Sequence, residues 1–280
     1  MFNKKRLIAL LTGTLLVGSL VSGCGSAGAN STSGSSSSKI TVSGSTSVGP
    51  TMEILAEDYQ KENDTTTIEV QQVGSSAGIT NTIDGTSQIG MSSRNLKDEE
   101  KSELKEYQIA IDGIAVITNS ANKVKDLTLQ QVKDIYTGKI TNWKEVGGAD
   151  AEIVVVSRED GSGTRDGFQE IVGFESKDLT SNAQISDGSG NIKTTVQGNE
   201  NAIGYISFGY LDDSINAVKI GGVEPKEENV YNDKYPISRP FLLVTKGEAS
   251  GDAKSFIDYV LSDAGQKTIE KQGFMSVNQK

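Results

Sequence analysis

The sequence has 280 residues, 35% of them apolar, and 37 acidic against 27 basic residues give it a net charge of −10. The absence of histidine excludes Ser-His-Asp catalysis and histidine metal sites, and the single cysteine excludes intrachain disulfides. The acidic balance argues against nucleic acid as a partner, because binding a polyanion normally needs a basic surface.

The N-terminal residues have the pattern of a secretion signal. Lys4, Lys5 and Arg6 precede fifteen uncharged residues, 7–21, which are too few for a membrane-spanning helix but typical of a signal peptide. Small residues then lead directly to Cys24. This junction resembles a bacterial lipobox, which implies that residues 1–23 are removed and that the Cys24 thiol is acylated. The alternative is an ordinary signal peptide followed by an incidental cysteine.

Residues 24–38 are interpreted as a flexible linker. From Gly25 to Ser38 the chain contains only Gly, Ser, Ala, Thr and Asn, from which no core can form. Such a coil has a reach of roughly 20 Å, enough to hold a folded body near a membrane. The alternative is a disordered leader without a required length.

From Ile40 onward, short strand-like runs alternate with amphipathic helical patterns, which predicts an α/β fold with mostly parallel sheets. The segment Thr128–Gln131 has the form of a capping box that opens a helix. Strands are predicted at 40–42, 68–73, 89–91, 109–118, 152–157, 202–207 and 240–245, and helices near 48–59, 79–83, 128–136, 168–172 and 252–271.

Three loops share one pattern, in which Gly and hydroxyl residues follow a strand and precede a helix. The first N–H groups of a helix lack intrahelical partners and lie at the positive end of its dipole, so several such loops around one cleft can bind a tetrahedral oxyanion. For any single loop, helix capping is the alternative. The loops are 43–48, 74–78 and 160–165.

Arg158 ends a predicted buried strand directly before the third loop. Its planar guanidinium can hold two phosphate oxygens at once, and Asp160 is expected to orient it. The alternative is a structural Arg158–Asp160 ion pair without a ligand. The loop is not a Walker motif, because no Gly-Lys-Ser/Thr follows at the required spacing.

Together these motifs resemble the phosphate-binding component of the bacterial high-affinity phosphate ABC transporter, a periplasmic-binding-protein type 2 family, in its lipid-anchored Gram-positive form. The resemblance covers about residues 39–280 and is most specific from Leu129 to Thr164. It rests on motifs that occur in one order: the lipobox, Gly44–Ser47, Gly74–Gly78, Ile89–Arg94, Asp112–Ala115, Leu129–Lys139, Asn142–Trp143, Arg158–Thr164 and Ala202–Tyr205.

The resemblance implies two lobes, each with a central mixed β-sheet flanked by helices, that close by a hinge on phosphate. Lobe 1 would combine residues 39–116 with 242–280, and lobe 2 would be 117–241, with hinges near Thr118 and Pro240. It further implies a monomer without cofactor, metal or catalytic residues. Such a protein delivers phosphate to ABC permease subunits at the extracytoplasmic face of the cell membrane.

By motif position, the resemblance implies phosphate contacts at Thr46, Ser47, Ser75, Arg158, Ser162, Gly163 and Thr164. One candidate position departs from the pattern: Ser93 stands where some members have an aspartate that accepts the proton of hydrogen phosphate. We hypothesise that Asp112 replaces it, because an unpartnered carboxylate in the middle of a strand would be costly to bury. The alternative is a structural aspartate bonded to nearby amides.

Three other functions remain open from the sequence. Another tetrahedral oxyanion, such as sulfate or molybdate, fits the same loops. A secreted phosphatase-like enzyme is disfavoured, because no base adjoins Ser75 or Ser162 apart from Asp160. An anchored adhesin or scaffold would bind no small ligand.

Overall fold

The computed structural model describes residues 38–279. The predicted signal peptide, Cys24 and almost all of the predicted linker lie outside this range. Within residues 38–279 no helix combines the length and the apolar character needed to cross a membrane.

Strands and helices alternate along the described residues. The strands are β1 (Ser38–Gly44), β2 (Thr66–Gln72), β3 (Ile89–Ser92), β4 (Leu104–Asn119), β5 (Asp126–Leu127), β6 (Val154–Arg158), β7 (Gln184–Ser186), β8 (Ala202–Ser207), β9 (Ile215–Ala217), β10 (Lys219–Ile220), β11 (Ser238–Lys246) and β12 (Met275–Ser276). The helices are α1 (Gly49–Glu62), α2 (Ser75–Ile83), α3 (Asp98–Lys101), α4 (Leu129–Tyr136), α5 (Gly163–Val172), α6 (Gly188–Gln197), α7 (Glu227–Tyr231), α8 (Gly251–Leu261) and α9 (Asp263–Lys271).

Two local patterns explain why particular segments are helical. The stripe predicted for α1 is buried along its whole length, from Val48 to Tyr59. The predicted capping box opens α4: Thr128 Oγ1 accepts a hydrogen bond from Gln131 N at 3.1 Å, and Gln131 Oε1 accepts one from Thr128 N at 2.8 Å. Both predictions are confirmed.

A ten-stranded mixed sheet with the order β2-β1-β3-β11-β4-β8-β6-β7 organises the molecule, and β9 and β12 pair with β4 outside this path. The pairs of β1 with β2 and β3, and of β6 with β7 and β8, are parallel. The strands β4 and β11 pair antiparallel with each other and with their other neighbours. The α/β prediction is confirmed, but the expectation of mostly parallel sheets is wrong, because β4 and β11 run in opposite directions through the centre.

Two large hydrophobic cores lie along this sheet. The first is built from residues between Ile40 and Ala110 together with residues between Phe241 and Phe274. The second is built mainly from residues between Ile114 and Ile237. We call residues 38–112 and 239–279 the first half, and residues 113–238 the second half. The long strand β4 passes from one core to the other near Asp112, before the predicted crossing at Thr118.

The C-terminal segment differs from the single predicted helix at 252–271. It forms α8 and α9, which are separated at Ser262. Ser262 has an extended backbone, and its side chain accepts a hydrogen bond from Gly265 N, so it caps α9. The apolar spacing continues across Ser262, so periodicity alone does not reveal the break.

Candidate anion-binding site

Strand direction brings the two halves' functional loops together. The register pairs Gly113 of β4 with Ser238 of β11, and Ile114 of β4 with Ser207 of β8. Ser92, the last residue of β3, pairs with Leu242 of β11, which in turn pairs with Gln108 of β4. The carboxyl ends of β3 and β8 therefore both lie toward the middle of β4, with β1 and β2 parallel to β3, and β6 and β7 parallel to β8. Because α1, α2, α5 and α6 follow carboxyl ends of these strands, their N-termini meet at the boundary between the halves.

Ser47 lies at the centre of this meeting point. Its Oγ is 2.8 Å from Thr164 Oγ1 and 3.2 Å from Ser189 Oγ, and it accepts a hydrogen bond from Arg239 Nη2 at 3.2 Å. Thr164 and Ser189 belong to the second half, and all of these residues are buried. A direct contact between hydroxyls of the two halves is thus part of the structure.

A second group of hydroxyls lies at the start of α2 and after β3. Ser75 Oγ accepts a hydrogen bond from Ser93 N at 3.1 Å and is 3.3 Å from Ser93 Oγ. Gly163, at the start of α5, approaches them so closely that an added Cβ would lie 2.3 Å from Ser75 Oγ. Glycine is required here because the halves touch at this point. A backbone hydrogen bond from Ser76 N to Gly161 O, 3.1 Å long, joins them beside it.

Ser162 caps α5, and its Oγ accepts a hydrogen bond from Arg165 N at 3.2 Å. The Ser162 hydroxyl hydrogen is not used in that bond. The remaining N–H groups of the first turn, and the positive end of the helix dipole, point toward the same region. The third loop therefore combines a side-chain cap with groups that can donate to an anion, whereas α1 and α2 begin without a side-chain cap.

Arg158 contacts both halves from the end of β6. Its Nη2 donates to Thr46 Oγ1 at 3.0 Å and its Nη1 donates to Ser189 Oγ at 3.2 Å. Glu159 accepts two further hydrogen bonds from Arg158, each 2.7 Å long. Burial alone raises the pKa of the Glu159 carboxyl, but the bonds from Arg158 outweigh it, and the pKa lies below its ordinary value.

The prediction that Asp160 orients Arg158 is wrong. Asp160 Oδ1 accepts a hydrogen bond from Arg165 Nη1 at 2.6 Å, and Arg165 also donates to the Arg158 carbonyl. Glu159 takes the role expected of Asp160. Asp160, two positions after Arg158, bonds to Arg165 instead. Glu159, the residue next to Arg158, bonds to Arg158 directly.

Asp112 is fully buried. The hypothesis assumed that its carboxylate has no hydrogen-bond partner in the protein, and this assumption is wrong. Its Oδ2 accepts from Arg239 Nε and Nη2 at 3.0 and 2.8 Å, and its Oδ1 accepts from Ser207 Oγ at 2.9 Å and Phe208 N at 3.2 Å. Burial raises the pKa of Asp112, and Arg239, Ser207 and Phe208 oppose that shift. Both carboxylate oxygens are occupied, as the structural alternative expects.

A cavity of about 600 Å³ opens beside these residues. Its wall includes Thr46, Ser189, Glu159 and Tyr210, so it reaches the hydroxyl groups described above. Tyr210 Oη donates to the Thr46 carbonyl at 2.9 Å, which ties the second half to the loop after β1. Across residues 38–279, no cluster of three or more acidic or sulfur ligands could hold a metal ion.

Comparisons with known proteins place this geometry in a family. Residues 29–264 match the PBP superfamily domain. The chain is 38% identical to the phosphate-binding protein PstS of Bacillus subtilis, over 85% of this chain and 80% of that protein. The chain belongs to the PstS family of phosphate-binding proteins.

Solved structures agree with PstS family membership. A putative phosphate ABC transporter substrate-binding protein from Clostridium perfringens, with bound phosphate, is 63% identical, with a TM-score of 0.84 and coverage of 85% of this chain and 99% of that chain. An ABC-type phosphate transport receptor from Vibrio cholerae is 39% identical, with a TM-score of 0.74 and coverage of 85% and 100%. The PstS family consists of extracytoplasmic binding proteins and not of enzymes. The predicted family and the predicted α/β periplasmic-binding-protein fold are confirmed.

Within this PstS family fold, the candidate residues predicted from the sequence are brought together, and three further ones were missed. Ser189 follows a strand and opens α6 within Gly188-Ser-Gly190, the same pattern as the other loops. Glu159 is adjacent to Arg158 in sequence. Arg239 precedes the strand predicted from Pro240 and gives no local signal of its partner.

Arg94 follows Ser93 at the position where the chain departs from the PstS pattern. It is buried, and both of its terminal nitrogens donate to Glu100, at 2.7 and 2.8 Å. Its Nε lies 3.0 Å from Asp166 Oδ2 of α5 in the second half. The positive charge of Arg94 is therefore held by two carboxylates.

Proposed function

We propose that this protein captures inorganic phosphate at the boundary between its two halves and delivers it to an ABC permease for import. The observation that carries the proposal is the convergence of Ser47, Thr164 and Ser189 with two buried guanidinium groups. Hydroxyls, helix N-termini and arginine forks all donate hydrogen bonds, and a phosphate ion offers four oxygens to accept them.

The proposed contacts come from both halves. Thr46, Ser47, Ser75 and Ser93 would bind from the first half, and Arg158, Ser162, Gly163 and Thr164 from the second. The two halves correspond to the two proposed lobes, with Asp112 and Arg239 at the crossings. Such an arrangement couples closure to the ligand, because an anion between the halves would accept hydrogen bonds from both of them at once.

The proposal extends to the membrane. Acylation at Cys24 and the linker of residues 24–38 would keep the binding domain at the extracytoplasmic face, near the permease. The arrangement fits a Gram-positive cell, in which an unanchored binding protein would diffuse away. Loss of labelled fatty acid incorporation in a Cys24→Ala variant, with unchanged phosphate affinity of the released protein, is the expected result.

Net acidity does not oppose anion binding. Charge-assisted hydrogen bonds contribute about 1.5 to 3 kcal/mol each. Several of them in a closed cleft outweigh the repulsion from surface carboxylates, which salt screens within about 10 Å. The expected affinity is micromolar or tighter.

Calorimetric titration of the purified mature protein tests the function. Phosphate is expected to bind, sulfate and molybdate to bind much more weakly, and a chromogenic phosphate ester to be neither bound tightly nor hydrolysed. Tighter binding of sulfate would assign the site to another oxyanion, and turnover of the ester would assign an enzyme. No heat with any anion would contradict the proposal.

A substitution ties that binding to the site. Thr164→Val removes one hydroxyl while keeping the side-chain shape, and we expect phosphate affinity to fall about tenfold. Thr137→Val, at the end of α4, removes a hydroxyl that donates to the Lys133 carbonyl and does not line the cavity, so it is the matched control. Equal affinities of the two variants would place the phosphate elsewhere.

A further inference from the structure

Arg239 and Asp112 form a buried ion pair at the two strand crossings between the halves. They are directly opposite each other in the β4–β11 register, and Arg239 is 4% exposed and Asp112 0%. Two nitrogens of Arg239 donate to one carboxylate oxygen of Asp112, and Ser207 and Phe208 donate to the other. The carboxylate therefore balances the charge of Arg239 through Nε and Nη2.

The Arg239 guanidinium also contacts a hydroxyl group of the site, through a nitrogen that it shares with Asp112. Its Nη2 donates to Ser47 Oγ at 3.2 Å. Arginine has no acceptor and keeps its charge, so in this bond the serine oxygen must accept. The hydroxyl hydrogen of Ser47 is then left for a different acceptor, either a neighbouring hydroxyl or an oxyanion.

Another hydrogen bond from the Arg239 guanidinium positions Ser93, which in turn contacts Ser75. Arg239 Nη1 donates to the Ser93 carbonyl at 3.0 Å, which fixes the backbone after β3. In that position Ser93 N donates to Ser75 Oγ at 3.1 Å. Ser75 Oγ thus accepts one hydrogen bond, and its own hydrogen is also available for donation.

We propose that Arg239 is a positioning residue of the anion site, which turns the Ser47 and Ser75 hydroxyls into donors toward the bound oxyanion, while Asp112 balances its charge. This inference rests on the proposed phosphate binding and deepens it. It assigns Asp112 to supporting Arg239, in place of accepting a proton from hydrogen phosphate.

A double-mutant cycle between Arg239 and Ser47 tests the role. Because substitution of Arg239 alone leaves a buried carboxylate unpaired, the pair is replaced together by Asp112→Asn and Arg239→Gln. We expect this double variant and Ser47→Ala each to weaken phosphate binding at least tenfold. The triple variant should be little weaker than either, because Arg239 acts through the Ser47 hydroxyl.

Calorimetry gives the affinities, and urea unfolding gives the stability of each variant. Tyr235→Phe is the control, because it removes a buried hydrogen bond from Tyr235 Oη to the Ile114 carbonyl near the same crossing without touching the cleft. It should lower stability and leave phosphate affinity unchanged. A structural role for Arg239 would make its variants behave in the same way.

The outcomes separate this inference from the function itself. Two results would contradict the role of Arg239 in a protein that binds phosphate. In the first, the losses of affinity from the Asp112→Asn/Arg239→Gln variant and from Ser47→Ala multiply in the triple variant. In the second, the double variant binds phosphate as tightly as the unaltered protein. If the unaltered protein binds no phosphate, the proposed function fails and the inference with it. Should the double variant not fold, Arg239→Lys completes the cycle, because lysine keeps the charge but cannot reach Ser47 and Ser93 together.

Discussion

Gly163 shows how one residue limits the approach of the two halves. An added Cβ would lie 2.3 Å from Ser75 Oγ and 2.9 Å from Ser93 Oγ, well inside van der Waals contact. The clash exists only where the halves touch, so Gly163→Ala should hinder closure without weakening either core.

We expect Gly163→Ala to lower phosphate affinity at least tenfold, which corresponds to about 1.4 kcal/mol, with little change in the free energy of unfolding of the ligand-free protein. Calorimetry and urea unfolding measure the two effects. Gly198→Ala is a suitable control, because its Cβ would meet only ordinary contacts, the nearest at 3.5 Å. Unchanged affinity in Gly163→Ala would mean that Ser75 and Ser93 can move aside in the bound state.

Glu100 links the charge of Arg94 to the pH dependence of stability. Burial alone raises the pKa of Glu100, but hydrogen bonds from Arg94 and from Lys97 N outweigh it and hold the pKa below its ordinary value of 4.5. A carboxyl with a lowered pKa stabilises the folded state above its unfolded pKa, and this contribution is lost as the pH falls through the folded value.

Glu100→Gln should therefore lower stability at pH 7 and flatten the loss of stability below about pH 5, because the glutamine does not titrate. Urea unfolding at a series of pH values measures this. The exposed residue Glu103 offers a control with the same change of charge, and Glu103→Gln should leave the curve nearly unaltered. A Glu100→Gln curve parallel to that of the unaltered protein would contradict the assignment.

At the scale of single elements, the capping box of α4 should stabilise the start of that helix measurably. Thr128 Oγ1 and Gln131 Oε1 satisfy two backbone N–H groups that the helix itself leaves unpaired. Thr128→Ala should cost about 1 kcal/mol of unfolding free energy, whereas Thr128→Ser keeps the hydroxyl and should cost much less. Because α4 does not contact the anion site, phosphate affinity should stay the same in both. Equal losses in the two variants would show that the methyl group matters and the cap does not.

Local patterns explain which elements were predictable. Residues close together in the sequence form the apolar stripe of α1, the capping box of α4 and the loops that follow β1, β2 and β6. These features can therefore be predicted from the sequence. The pairing of Asp112 with Arg239 is not local, because the two residues are 127 positions apart and meet only through the β4–β11 register. The same long-range pairing makes the sheet mixed, which alternation of strands and helices alone cannot reveal.

At the scale of the whole molecule, ion pairs between the halves influence closure. Arg94 of the first half lies 3.0 Å from Asp166 of α5 in the second half, and Glu100 holds the other end of the guanidinium. This pair joins the two halves, so we expect it to favour the closed form of the proposed lobes without touching the anion. The apparent affinity of a ligand that binds the closed form rises with the population of that form.

Asp166→Asn should accordingly weaken phosphate binding by a modest factor. The Asp166 side chain is 31% exposed, so solvent screening limits its contribution to about 0.5 to 1 kcal/mol, or roughly two- to fivefold in affinity. The difference from the unaltered protein should shrink as salt is added, because screening weakens the pair. Titration calorimetry at low and high salt measures both effects, and Asp213→Asn, an exposed position with the same change of charge, serves as the control. The ion pair does not favour closure if Asp166→Asn binds phosphate more tightly than the unaltered protein, or if its phosphate affinity equals that of Asp213→Asn at low salt. In either case the contact of the halves must depend on the anion and the hydroxyl groups alone.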